Sequence, residues 1–289
     1  MPVQPAVVQA HEIHQSHSKL AIEPRRVKFD FQDIDTPLFY NGNGFISAIW
    51  AGLSASFPIG EAEFIHSVQL FKDKVRDPKL LAEIKEFTAQ EAHHSLQHKL
   101  INEFLDGLGY QTKKIGDFFQ NKINHRVENW SHERRLARTV VAEHVTAVMA
   151  NYALTNEQAM SHFPDSIRSL FQWHAIEEIE HKSVAFDVYQ HCVGDEKLLR
   201  KEFRLFSYYE FPRNIFLSMR YLLKQMGHKS TWRERRAAWR YLFGHGGLIS
   251  SQRRLYMMFL QDGFHPWGHD DSALVEEWKI KLSPHFVHV

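Results

Sequence analysis

The sequence predicts an all-α protein: a four-helix bundle with additional helices C-terminal to it. Three observations predict it. Four long segments repeat apolar residues at alternating three- and four-residue steps, the period of a helix with one buried stripe. Prolines and glycines fall between these segments rather than inside them. Hydrophobic residues make up 44% of the 289, enough for a sizeable core.

Residues 1–23 are polar and aperiodic, which predicts a flexible N-terminal tail; His11, His14 and His17 read there as solvated side chains. Between 24 and 60, Pro24, Pro37, Gly42, Gly44 and Pro58 predict extended or loop structure with a short helix near Ile46 to Leu53. The first long helix starts after Gly60 and runs to about Val75, where Asp77-Pro78 closes it. The second has Pro78 in its first turn and runs to about Gly107. Some 25 residues follow, about the length of a crossover connection and too long for a tight hairpin. The third helix spans about Ser131 to Thr155, and the fourth runs from about Asp165 to just before Gly194. Residues 24–195 therefore read as the bundle, and 196–289 as a helical extension packed on it, rich in Arg and aromatic residues.

The chemistry lies in what interrupts the apolar stripes. In the second helix Leu80, Ile84, Phe87, Glu91, His94, His98, Ile101 and Leu105 form one seam. In the third the seam is Leu136, Val140, Glu143, Ala147, Ala150 and Leu154. In the fourth it is Ile167, Phe171, His174, Glu178, His181, Ala185, Val188 and Cys192. In the first helix Glu61 shares a face with Phe64, Ile65, Val68, Phe71 and Val75, while Glu63 falls toward the polar side.

A lone carboxylate in an apolar core costs several kcal/mol or shifts its pKa until it is neutral. Four carboxylates and several imidazoles on facing seams need cations between them. One Glu from each of two helices plus Glu-x-x-His from each of the other two is the dinuclear carboxylate arrangement of ferritin-like bundles. Here these elements are Glu61, Glu91 with His94, Glu143, and Glu178 with His181. Three residues advance a helix by about 4.5 Å, so each Glu and His can reach one ion or bridge two. His174, four residues before Glu178 on the same seam, is a candidate seventh ligand. His98 reads as an outer or pocket residue, or as a catalytic base. Glu177 is off the seam and reads as an alternative ligand to Glu178 or as a base. Asp187 either orients a ligand imidazole or forms a surface ion pair, and Cys192 reads as a small core residue.

Several function classes are excluded or demoted. A formal net charge of +1 gives no reason to expect nucleic acid as a partner. One cysteine excludes an internal disulfide framework and fits a reducing cytoplasm. No stretch approaches the roughly 18 apolar residues of a membrane span. The run Arg233, Arg235, Arg236, Arg240 reads as a solvated helix face, with an anionic ligand or peripheral contact with a lipid surface as the alternative.

The strings Phe57-Pro58-x-Gly60-Glu61, Gln90-Glu91-x-x-His94-Ser95, Glu143-His144-x-Thr146-Ala147 and Trp173-His174-Ala175-x-Glu177-Glu178-x-Glu180-His181-Lys182-Ser183-Val184-Ala185-Phe186-Asp187 resemble a bacterial family of predicted metal-dependent hydrolases. Phe264-His265-Pro266-Trp267 also resembles that family, and the likeness extends over about residues 24–287. The resemblance implies hydrolysis at a metal site. The His174-x-x-x-Glu178-x-x-His181 element is in addition similar to the fourth helix of di-iron arylamine N-oxygenases, which implies a further histidine ligand at His174.

Three reactions fit the residues. The first is O2 activation at two iron ions, or at Mn/Fe, by an oxygenase or oxidase that takes electrons from a donor and acts on a hydrophobic or aromatic small molecule. In it Glu91 and Glu178, or Glu143, bridge the ions, with His94 and His181 one on each. The second is hydrolysis with Zn or Mn, in which His98 or Glu177 serves as base. The third, metal storage, needs a cage-forming oligomer, which the long extension disfavours; a monomer or homodimer is expected.

Overall fold

The computed structural model describes residues 18–287, so His11, His14 and His17 lie outside the described residues. It is helical throughout, with one isolated bridge between Val27 and Phe286 and no strand among the described residues. In chain order the helices are α1 (Gly44–Gln69), α2 (Pro78–Gly107), α3 (Thr112–Asn129), α4 (His132–Thr155), the short α5 (Glu157–Met160), α6 (Asp165–His181) and α7 (Val184–Cys192). There follow α8 (Glu196–Leu205), α9 (Phe211–Gln225), α10 (Trp232–Phe243), α11 (Leu248–Met257) and α12 (Ser272–Leu282).

Side-chain oxygens cap the starts of the long helices. Asn43 accepts from the Phe45 and Ile46 N–H groups, Asp77 from Lys79 N–H, and Ser131 from Arg134 N–H. Four stretches depart from the sequence reading. The loop and short helix expected before Gly60 are the first half of α1, which runs unbroken through Pro58. Proline has no N–H for the carbonyl four residues back. That carbonyl, Ser54 O, accepts instead from Asn102 Nδ2 at 3.0 Å, so the helix continues without an orphaned acceptor. The connection between the second and third long helices contains α3. The fourth long helix is broken at Lys182 and Ser183, where the Lys182 ammonium turns to Asp271 Oδ2 at 2.7 Å and His269 O at 2.8 Å. Residues 18–23, expected within a flexible tail, pack on the helices: Ile22 is buried and Glu23 N–H donates to Glu180 Oε2.

Two apolar clusters divide the interior. One holds Ile46 and Leu53 of α1, Ile101 and Leu105 of α2, Ala150 and Leu154 of α4, and Ile167 and Phe171 of α6. The other holds Val68 of α1, Leu80, Ile84 and Phe87 of α2, Leu136 and Val140 of α4, and Ala185 and Val188 of α7. The order in which each helix enters the clusters sets its direction. α1 and α6–α7 run from the first cluster to the second, while α2 and α4 run the opposite way. Two consecutive long helices in the same direction require a crossover, and α3 makes it. α1 packs on α2, and α4 on α6, closing a core whose middle layer lies between the clusters. Of the C-terminal helices, α9 and α10 lie on α1, α8 and α11 on α4, and α12 on α6. A π-helical turn, Phe206–Glu210, joins α8 to α9.

Candidate metal centre

The middle layer is polar. Glu61, Glu91, His94, Glu143, His174, Glu178 and His181 all project into it and are all buried. Two groups of three offer donor atoms within 4.8 Å of one another: Glu61, His94 and His174, and Glu91, Glu178 and His181. Glu178 joins them, with Oε1 2.8 Å from His174 Nε2 and Oε2 3.7 Å from His181 Nε2. His181 Nε2 also lies 3.1 Å from Glu91 Oε1 and 3.4 Å from Glu143 Oε2, so Glu143 borders the second group.

Many of these donor atoms lack hydrogen-bond partners. Among the described residues, Glu61 Oε1, both oxygens of Glu91, both of Glu143, Glu178 Oε2, His94 Nδ1 and His181 Nε2 are buried without one. Buried polar atoms are normally satisfied, at a cost of about 1–3 kcal/mol each when they are not. Eight such atoms converging on one layer fit cations.

The outward nitrogen of each imidazole is held, and its partner sets the tautomer. Gln90 Nε2 donates to Glu180 Oε2 at 2.7 Å, which turns Gln90 Oε1 toward His181 Nδ1 at 2.8 Å. The amide oxygen can only accept, so Nδ1 carries a proton and Nε2 is the nitrogen turned to the layer. His94 Nε2 faces Glu177 Oε2 at 3.1 Å, while Glu177 Oε1 accepts from Arg25 N–H and Trp173 Nε1. Burial pushes the Glu177 carboxyl well above the usual range against the pull of Arg25; when it is ionised, the proton sits on Nε2 and Nδ1 faces the layer. Asn102 Nδ2 is committed to Ser54 O, so Asn102 Oδ1 accepts from the Ser54 hydroxyl at 2.8 Å. The hydroxyl in turn accepts from His98 Nδ1 at 2.9 Å, which leaves His98 Nε2 to accept from His174 Nδ1 at 2.7 Å. His174 Nε2 then faces Glu178 Oε1 at 2.8 Å and is the nitrogen that a metal could take in place of a proton. With their outer nitrogens protonated, all three imidazoles turn the other nitrogen to the layer, where a metal would displace any proton it carries.

Electrostatics point the same way. Burial, with the charge of Glu91, pushes Glu61 well above the usual carboxylate range. Burial, with the charges of Glu143 and Glu178, does the same for Glu91 against the pull of His181. Glu143 is pushed up to about 7 by burial and by Glu178. Burial would also raise Glu178, but its contacts with His174 and His181 outweigh this and lower it. Burial would lower His181, yet Glu143, Glu178 and Glu91 hold it well above the imidazole range. A proton there does the work of a cation. Two divalent ions would balance four carboxylates and displace it.

Two cavities open beside the layer. One of about 110 Å³ borders Glu61 and is walled mainly by Leu53, Phe57, Phe64, Ile123, Met149, Phe211 and Ile215. Its charged walls are paired: Lys122, Arg126 and Arg138 with Glu210, Arg138 also with Glu202, and Arg135 with Glu63. The smaller, about 30 Å³, touches His174 and Glu178 and shares Phe57, Thr146 and Met149 with the first.

Several expectations change. Glu63 is not on a solvated face; it is buried and accepts two hydrogen bonds of 2.8 Å from Arg135. His98, read as an outer residue or a base, and Glu177, read as an alternative ligand or a base, border neither cavity and face ligand-candidate imidazoles. Asp187 lies 3.0 Å from His265 rather than beside a histidine of the layer, and it is buried, not part of a surface pair. Cys192 is half-buried at the end of its seam. The residues that brace the layer went unassigned in the sequence: Gln90, Glu180, Trp173, Ser54, Asn102 and Arg25. Glu180 is wholly buried and binds Arg25 and Lys279, from opposite ends of the chain. The only local signal was polarity at Gln90 and Glu180, one residue from a seam position.

No curated protein and no solved structure matches the chain. The family described as predicted metal-dependent hydrolase matches at residues 23–270, and with the donor layer inside that span the chain belongs to this family.

Proposed function

We propose that this chain is a ferritin-like dinuclear metalloenzyme that hydrolyses an apolar small molecule, with Glu61, Glu91, His94, Glu143, His174, Glu178 and His181 holding the two ions. The observation that carries the dinuclear reading is the set of partnerless oxygens and nitrogens converging between the two apolar clusters. Four helices in the up-down-down-up order inferred above, each contributing a Glu, support the ferritin-like assignment. The family's description supports hydrolysis.

When bound, the ions would supply either a lowered water pKa and a clamp for a substrate oxygen or, as iron, electrons for O2. The residues of the chain supply the rest. Gln90, Glu177 and His98 keep protons on the outward nitrogens and fix the ring planes, which makes them positioning residues. Ser95 Oγ donates to Glu61 Oε2 at 2.9 Å and leaves Oε1 as the free donor. Phe57, Phe64, Met149 and Ile215 exclude bulk water and take up an apolar substrate body. The cavity is of the order of the ~150 Å³ apolar void that admits benzene.

A second reading, O2 activation at two irons, is favoured by one observation. Apart from the donor Glu61, each acidic or basic side chain lining the larger cavity is already paired with another, so none is free to take a proton from water. The deciding experiment measures metal content and turnover of medium-chain nitrophenyl esters under argon, with Zn, Mn or Fe loaded. Two ions per chain and ester cleavage without O2, lost in Glu143→Gln, are expected. Inactivity under argon with O2 uptake by the reduced iron form would replace hydrolysis by the second reading. A failure to retain any metal would sink both.

A further inference from the structure

Charge is unevenly spread along this chain. Residues 211–261 contain ten Lys or Arg and one acid, Glu234, although the whole sequence is only +1. Much of that charge is on α10, whose two faces differ sharply. The inner face is anchored: Ala238 and Tyr241 are buried, and the Tyr241 hydroxyl accepts from Trp50 Nε1 at 2.9 Å. Glu234 also turns inward, accepting from Gly44 N–H at 3.0 Å, lying 2.7 Å from His228 Nε2, and closing a capping box with Thr231.

The outer face carries Trp232, Arg236, Trp239 and Phe243 at four-, three- and four-residue steps, which places them on one stripe. Trp232 is 76% exposed and Trp239 64%, and the rings of Trp239 and Phe243 are 4.4 Å apart. Arg233 and Arg240 flank the stripe on one side and Arg235 on the other, all exposed. No carboxylate of α10 faces out. α11 packs against α10 and adds exposed Ile249.

The geometry points to this α10 face as a docking surface for an anionic lipid bilayer. Two tryptophans held in water by a helix fixed from behind fit the aromatic belt depth of a membrane interface. Arginines along both sides of the stripe fit acidic headgroups, to which each contributes about 1 kcal/mol. No helix among the described residues is long and apolar enough to cross a membrane, so the contact is peripheral. A second copy of the chain fits poorly, because four arginines would meet four arginines with no acid of either helix between them. Duplex nucleic acid would use the arginines and leave the tryptophans idle.

The test is sedimentation of the full-length protein with vesicles of phosphatidylcholine, with or without phosphatidylserine as about a third of the lipid, while tryptophan fluorescence is followed. Binding to the anionic vesicles alone, a blue-shifted emission and release by salt are expected. Arg236→Gln should weaken partitioning roughly fivefold, and Trp232→Ala with Trp239→Ala should abolish the shift and most of the binding. All three side chains are exposed, so the circular dichroism spectrum and melting temperature should not change. No binding to anionic vesicles at low salt overturns the proposal, as does undiminished binding by the double tryptophan variant. Tight binding to duplex DNA that ignores the tryptophans would make the face a nucleic-acid surface instead. A concentration-dependent dimer that quenches Trp232 exposure would make it a contact between copies.

Discussion

Replacing Gln90 by Leu removes a residue that never touches the proposed ions, yet it should weaken their binding. In the parent, the Gln90 amide lies between Glu180 and His181, with contacts of 2.7 and 2.8 Å, and is wholly buried. Glu180 keeps Arg25 at 2.7 Å and Lys279 at 2.9 Å in the variant, so its charge stays compensated. His181 loses the acceptor of its Nδ1 proton, and with it the constraint that turns Nε2 toward Glu91, Glu143 and Glu178. Outer residues of this kind are worth about 10- to 100-fold in metal affinity, or ~1.4–2.7 kcal/mol. A buried N–H without a partner also costs about 1–3 kcal/mol of folding stability. The assay is a competitive titration with a chromophoric chelator and Zn(II), next to a urea unfolding curve. Gln97→Leu is the control, since that buried amide on the same helix donates to Val27 O at 3.1 Å, away from the layer. The control should lose stability and keep its affinity. If Gln90→Leu binds Zn(II) as tightly as the parent, His181 is not a ligand oriented through Gln90, and the account of the layer fails.

Metal loading should stabilise the fold: ligand at a hundredfold excess over its dissociation constant adds about 2.7 kcal/mol. That raises the melting temperature by about 5 °C in scanning calorimetry, and an unchanged melting temperature with and without chelator would contradict a built site. Arg135→Met leaves the Glu63 carboxylate buried without its bidentate partner, which should cost about 3–5 kcal/mol in urea unfolding. Glu210 carries a pH signature. Burial would raise it, but Arg126, Arg138 and Lys122 outweigh this and hold it at about 2. The folded value is depressed, so its stabilisation is complete above the ordinary carboxylate range and is lost as pH falls from about 4.5 toward 2. Glu210→Gln should flatten the stability–pH curve in that window and lower stability at pH 7; an unchanged acid limb would refute the pairing.

The sequence by itself determined the helical class, the bounds of α2 and α4, and the seven donor candidates. The reason is that a helix repeats its buried face every three to four residues, so ionisable residues on that stripe stand out without any partner being known. Glu61, Glu91, His94, Glu143, His174, Glu178 and His181 were legible in this way. The length of α1 was not, because Pro58 is tolerated only through Asn102, 44 residues away. Nor was the bracing of the histidines, since Gln90, Glu177 and Glu180 differ from surface residues only in what lies opposite them. Glu180 meets Arg25 and Lys279 from the two ends of the chain. Glu63 looked solvated on its own helix and is buried because α4 brings Arg135 against it. The exposed stripe of α10 follows the same rule. Periodicity shows that a helix has an apolar face, and only packing against α1 decides that Tyr241 turns inward while Trp232 and Trp239 face out. Local pattern comes from backbone geometry, whereas a charge pair or a buried face depends on which residue the folded chain places across from it.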